Sequence, residues 1–283
     1  MGERIEVLPN GTVLFEYGPM RMVIQASQDG KPLIELAKEG GRRAKEVLED
    51  MARFLPVIKR KAHELEIKEE YPDVVRRMIE ATQRMEESDL TPLAAVAGAA
   101  SDEVADFMAR RGGTKIIVDN GGDIAVRLVG REVAGVGVKT GIDAPLPSYL
   151  LSIDSGMGIG GVTTSGLGGR SFTKGIASAA TVLSVNASLA DAAATVIGNF
   201  TNVEDPCIRR GLAESIYPDT DIAGEWVTVE VGELSREKVE EALSQGLAKA
   251  DSICRKGLIK GALVAVKGRV GWTLSIEPWL TKL

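Results

Sequence analysis

Apolar positions along this chain change period several times, and the changes outline its elements. Ile5-Glu6-Val7 alternates, Asn10-Gly11 supplies a tight turn, and Val13-Leu14-Phe15 begins a return strand; Met20 to Ile24 makes a third strand after Gly18-Pro19. The period then becomes helical. Ala44, Val47, Leu48, Met51 and Leu55 share one face of an amphipathic helix, with Pro56 at its end or at a kink. Val74, Val75, Met78, Ile79 and Met85 repeat that pattern. Between the two, the charge-rich run from Lys59 to Glu70, which holds His63, reads as a solvated helix face or connector.

From residue 91 the texture is different. Ala94 to Ala100 are all small, and a helix continues through Val104, Phe107 and Met108 until Arg111-Gly112-Gly113 stops it. Ile116-Ile117-Val118 reads as a buried strand ending in Asn120-Gly121-Gly122-Asp123. Further strands are predicted over 124–128, 133–138, 149–153 and 181–185, with an alanine-rich helix over 188–197. The final third predicts strand 226–231, helix 235–255, strand 262–267 and strand 270–276. Ser235 is the N-cap of that helix and Gly257 its stop. Mixed strands and helices without strict alternation predict an α+β fold, with mixed β-sheets packed against helices.

Composition narrows the function classes. A chain of 283 residues, 44% hydrophobic and 26% charged, excludes collagen, a coiled coil and wholesale disorder. The balance of 34 basic against 40 acidic residues, net −6, lacks the footprint of a general nucleic-acid binder. Cys207 and Cys254 make no disulfide framework and no C-x-x-C, which fits a reducing compartment. The single His63 rules out a His-rich metal site. No apolar run follows the charged start and none is long enough to span a bilayer, so a cytoplasmic protein without membrane partners is expected.

Three segments carry candidate chemistry. Gly156 to Gly161 fits G-x-G-x-x-G literally, but Val162-Thr163-Thr164-Ser165-Gly166 is a poor helix start, so a dinucleotide-binding Rossmann turn is rejected. Two readings remain: a side-chain-poor backbone approaching a ligand, with Thr164 and Ser165 as hydroxyl donors, or a run of tight turns and glycine bulges. Asp191 and Thr195, four apart on a predicted helix, project from one face, and a carboxylate plus a hydroxyl suits Mg²⁺. The alanines around Asp191 make it a poor candidate for a solvated surface. Asn120-Gly121-Gly122-Asp123 is either a plain β-turn or a carboxylate presented at a strand end beside free backbone amides.

In order along residues 91 to 199, four segments resemble motifs of the ApbE superfamily, whose best-known members are FAD:protein FMN transferases. They are Thr91-Pro92-Leu93-Ala94-Ala95-Val96-Ala97-Gly98-Ala99, Ile117 to Ile124 around Gly121-Gly122-Asp123, Thr163-Thr164-Ser165-Gly166, and Ala190-Asp191-Ala192-Ala193-Ala194-Thr195. The likeness is to the superfamily's non-lipoprotein branch, found widely in anaerobes and archaea. It implies one ApbE-like domain over 1–283, with a β-hairpin and helices in 1–90 and the motifs in 91–283. It also implies a flavin, FAD or FMN, bound around Mg²⁺. Asp191, Thr195 and the Ala94 carbonyl would hold the metal. Asn120, Gly121, Gly122, Asp123, Thr164, Ser165 and Gly166 would contact the flavin nucleotide, with Asp191 and Asp123 catalytic. FMN transfer or pyrophosphate cleavage is the activity implied, and a homodimer is a possible assembly.

The chain departs from the transferase pattern. Ala97 stands where those enzymes have a lysine, and the interval 168–175 holds no histidine. Arg170 and Lys174 are the cations left there to grip phosphate. The same branch implies an alternative, a non-catalytic accessory role in sulfur assimilation and homocysteine formation in anaerobes, with Cys207 and Cys254 as its only thiols.

Overall fold

A computed structural model describes residues 2–283. Strands β1 (Arg4–Val7), β2 (Val13–Tyr17) and β3 (Met20–Gln28) form an antiparallel meander, and the short β4 (Lys31–Pro32) folds back on β3. Helix α1 spans Ile34–Arg53. It starts ten residues before Ala44, the first of the periodic residues, because its first half buries Ala37, Gly40 and Gly41, small residues that carry little periodic signal. A Cβ on Gly40 would lie 2.8 Å from the Met108 sulfur, so the glycine lets that side chain pack directly on the helix. Pro56 does not end this helix; α1 stops at Arg53, and Pro56 occupies the first turn of the short α2 (Leu55–Ile58), where its missing N–H is harmless.

After the irregular connector come α3 (Asp73–Gln83), a 3₁₀ turn over Pro92–Ala95 and α4 (Val96–Ala109). Strands β5 (Lys115–Asp119), β6 (Ile124–Leu128), β7 (Val133–Val138) and β8 (Tyr149–Asp154) stand where the apolar runs put them. The glycine-dense stretch contains a strand, β9 (Gly161–Ser165), followed by β10 (Ala179–Ser184) and α5 (Ala187–Asn199). Strand β11 (Ile208–Leu212), helix α6 (Ala213–Ile216) and β12 (Trp226–Val231) form a hairpin unit, and α7 (Arg236–Arg255) leads to β13 (Gly261–Val266) and β14 (Arg269–Trp272). The predicted strand 270–276 ends early. Thr273 turns the chain by accepting the Ala262 amide at 3.0 Å, a 3₁₀ segment over Leu274–Trp279 follows, and β15 (Leu280–Lys282) closes the chain.

One ten-stranded sheet runs β1-β2-β3-β5-β6-β9-β10-β13-β14 with β4 on β3, every pair antiparallel. Helices cover one face. α1, α3 and α4 pack over the half built from β2, β3 and β5, while α5 and α7 pack over β10 and β13. A smaller sheet, β15-β8-β7, covers part of the other face through Leu151, Ile153, Val162, Leu183 and Leu263. α5 is apolar nearly all round and buries eleven of its residues, so it runs through the interior against both β9 and α4. Its carboxylate is therefore carried inside the molecule. Among the described residues no helix is long and apolar enough to cross a membrane.

Candidate functional site

The chemistry gathers where α5 crosses the start of α4 over the β6–β9 pair. Asp191 is 9% exposed, and its Oδ2 accepts the Gly98 amide at 2.9 Å. Only glycine fits at 98: a Cβ there would lie 2.3 Å from the Ala187 carbonyl oxygen and 2.8 Å from the Asp191 Cβ. Four residues on, Thr195 Oγ1 lies 3.5 Å from the Ala94 carbonyl oxygen. That is long for a hydroxyl donating to a carbonyl, so neither oxygen is firmly committed to the other.

Asp123 ends the β5–β6 turn. Gly121 and Gly122 have φ of 74° and 105°, which Cβ-bearing residues rarely adopt, and the Gly122 amide donates to Asp119 Oδ1 at 2.8 Å. The Ser101 hydroxyl on α4 donates to the Asp123 carbonyl at 2.8 Å. Asp123 sits one step beyond the Ile124–Val162 pair, so strand register sets it opposite Thr163. Asp123 Oδ1 and Thr163 Oγ1 are both sealed from solvent and without a hydrogen-bond partner. Two orphaned oxygens on one face of a sheet are expensive, about 1–3 kcal/mol each, unless something else pairs with them.

Burial is the main cause of the shifted acidities. It pushes the Asp123 carboxyl well above the usual range, and the nearby Asp191 and Asp119 charges add to the rise. Burial likewise pushes Asp191 up to about 7, against the pull of the Gly98 and Ala97 amides and with a further push from Asp102. Among the described residues no lysine or arginine forms an ion pair with either acid. The local field is that of two carboxylates lacking a cation.

Other sequence-predicted residues lie differently. Alternation along β9 puts Thr163 and Ser165 on the α5 face and Thr164 on the opposite one, where its hydroxyl lies 2.9 Å from that of Thr181. Thr163, not Thr164, thus shares the face of Asp123; the strand register that decides this was hidden because the segment read as loop. Asn120 is buried, with a weak 3.4 Å contact to the Ala97 carbonyl. Arg170 lies at the surface and donates to the Pro19 carbonyl at 2.9 Å. Lys174 is held by Asp89 and, at 2.7 Å, by Glu225. Neither cation pairs with the two acids.

Glycines of the dense stretch have a plain structural use: a Cβ on Gly161 would lie 2.3 Å from the Ala187 backbone, and one on Gly160 would lie 2.2 Å from the Val185 carbonyl. They admit the start of α5, and β9 follows them instead of a helix, as the rejection of a Rossmann turn requires. Both thiols are raised: Cys207 by its contact with Asp205, Cys254 by burial.

Residues 5–272 match the family described as AbpE bacteria. The chain belongs to that family. AbpE relatives include the UPF0280 protein of Methanosarcina barkeri, 36% identical over 64% of this chain and 70% of that protein. The UPF0280 protein of Methanosarcina acetivorans is 37% identical over 62% and 68%. Two solved structures share the fold of this AbpE chain. The flavinyl transferase ApbE of Pseudomonas stutzeri superposes with TM-score 0.51 at 15% identity, covering 99% of this chain and 97% of that one. The flavin transferase ApbE of Vibrio cholerae gives 0.51 at 13%, covering 98% and 100%. At such identities the likeness is one of fold.

Among the described residues no three His, Cys, Asp or Glu side chains converge on one point. Any cation here would take a mixed set of oxygens, the Asp191 carboxylate, the Thr195 hydroxyl and the Ala94 carbonyl, with the orphaned Asp123 Oδ1 left free beside them. Such a set, hard and without nitrogen or sulfur, fits Mg²⁺.

Proposed function

We propose that this protein binds a flavin dinucleotide of the FAD type together with Mg²⁺, and cleaves its pyrophosphate so that an acceptor hydroxyl or water takes the FMN portion and AMP leaves. The observation that carries the reading is the buried, uncompensated pair Asp123 and Asp191 beside Thr195 and the Ala94 carbonyl. Two acids without a cation are costly to bury, and a divalent ion with its phosphate ligands relieves that cost. Membership in the AbpE family and the fold shared with flavin transferases supply the ligand class.

In this reading Asp191, Thr195 and the Ala94 carbonyl hold Mg²⁺, which when bound neutralises the charge developing on the pyrophosphate oxygens as the bond breaks. The Gly98 amide orients the Asp191 carboxylate, and the tight approach of α4 to α5 excludes water from it. Asn120, Gly121 and Gly122 offer a glycine turn beside the acids, and Ser165 lies on the same face of β9. Asp123, once ionised, accepts the proton of the attacking hydroxyl through its unpartnered Oδ1. No lysine stands at 97 and no histidine near 170, so proton transfer falls to Asp123 alone.

Calorimetric titration with FAD, with and without Mg²⁺, tests the reading. Metal-dependent FAD binding, lost in Asp191→Asn, is expected. Absence of affinity for FAD and for simpler nucleotide diphosphates under both conditions would overturn it.

A further inference from the structure

Helices α4 and α5 hold each other by a reciprocal exchange of carboxylates. Asp191, on α5, accepts the amide of Gly98 in the first turn of α4. Asp102, one turn further along α4, accepts two amides in the first turn of α5, Ala187 at 3.0 Å and Ser188 at 2.8 Å. The local cap Asn186 accepts the Ser188 hydroxyl and, of the backbone amides, the one of Leu189 at 2.9 Å, so the Ala187 and Ser188 amides depend on Asp102. Asp102 has no exposed surface, and Arg127 fixes it with a bond from Nη2 at 2.9 Å. Arg127 also reaches Asp106 at 2.7 Å and, from the strand side, the Gly160 carbonyl at 2.8 Å.

We propose that Asp102 is a positioning residue for the candidate metal site, setting where α5 begins along its axis and so where Asp191 and Thr195 stand relative to the Ala94 carbonyl. It makes no hydrogen bond to Asp191, Thr195 or the Ala94 carbonyl, although its charge is felt at Asp191. The inference rests on the Mg²⁺ reading above and adds to it the part of the fold that places the ligands. Buried partners that orient metal ligands typically change affinity about 10–100-fold when removed. Asp106 supplies the control. It belongs to the same charge network, pairing with Arg127 and Arg77, but its side chain makes no hydrogen bond or ion pair to α5.

The test compares Asp102→Asn and Asp106→Asn with the unaltered full-length chain. Two readings are taken, Mg²⁺ affinity by calorimetry and residue-level amide exchange in metal-free protein. Asp102→Asn should weaken Mg²⁺ binding at least about tenfold and speed exchange at Ala187, Ser188 and Gly98; Asp106→Asn should leave both within about threefold. Equal weakening in the two variants, or unchanged exchange at Ala187 and Ser188 in Asp102→Asn, would overturn the proposal. Should Asp102→Asn fail to fold, Asp102→Glu keeps the charge for Arg127 while displacing the oxygens by one methylene. Wild-type-like Mg²⁺ affinity in that variant would be equally fatal. Lack of Mg²⁺ binding by the unaltered chain defeats the functional reading instead, whereas the exchange measurement, which uses no metal, still decides whether Asp102 sets the start of α5.

Discussion

A single step in strand register decides which of two adjacent threonines belongs to the site. Thr163 is buried with an unpartnered hydroxyl opposite Asp123, whereas the Thr164 hydroxyl is engaged by Thr181 on the other face. Replacing each with valine, nearly the same shape, separates the two roles. Thr163→Val removes an unsatisfied buried oxygen, so stability should stay level or rise by about 1 kcal/mol while FAD affinity with Mg²⁺ falls. Thr164→Val should cost about 0.5–1.5 kcal/mol for its lost hydroxyl pairing and leave affinity unchanged. Denaturant unfolding and titration on the same samples measure both. The reverse pattern would place the ligand on the face of the smaller sheet.

At the level of elements, strong periodicity was readable and close approach was not. β1–β3, α3, α4, β5–β8, α5 and α7 emerge where apolar residues repeat with period two or near 3.6, and the Asn120–Asp123 turn emerges from its Asn-Gly pair. The first half of α1 was hidden because Ala37, Gly40 and Gly41 bury backbone instead of bulky side chains. β9 was hidden for a similar reason. Asp191 and Thr195 were legible as a helical pair, but Asp102, Thr163 and the Gly98 amide were not, since contacts between α4, α5 and β9 are tertiary. The glycines themselves mark those contacts. Gly161→Ala would push a methyl to within 2.3 Å of the Ala187 backbone, where no flexible side chain can yield. β9 and α5 must then part, at a cost of about 1–3 kcal/mol, and Asp191 moves with its helix. Chemical denaturation should show that loss alongside weakened Mg²⁺ binding; a variant as stable as the parent would mean that the helix start tolerates a displacement the packing forbids.

For the molecule as a whole, a buried acid pair makes folding and cation binding compete for the same proton. The Asp191 carboxyl titrates near 7 in the folded chain against 3.8 without the fold, so the native state holds its proton more tightly than the unfolded state does. The stability this contributes is complete below about pH 4 and is lost as pH rises through 7. At about 1.4 kcal/mol per unit the change amounts to at most about 4 kcal/mol. Asp123 is shifted in the same direction. Asp89 and Asp106 are shifted downward by their cationic partners, so their contribution is lost only in more acid solution and leaves the range from pH 5 to 8 to the raised pair. In chelator, the unfolding free energy should therefore be larger at pH 5 than at pH 8. Mg²⁺ at a hundred times its dissociation constant should add about 2.7 kcal/mol at pH 8, where the carboxylate is free to receive it, and little at pH 5, where a proton occupies the oxygen. Asp191→Asn, which can neither ionise nor accept a cation as a charge, should shrink the first dependence to the part Asp123 contributes and abolish the second. If the unaltered chain already shows the same stability across that range as Asp191→Asn, the acid is not held protonated by the fold, and the cost that Mg²⁺ is proposed to relieve is not there.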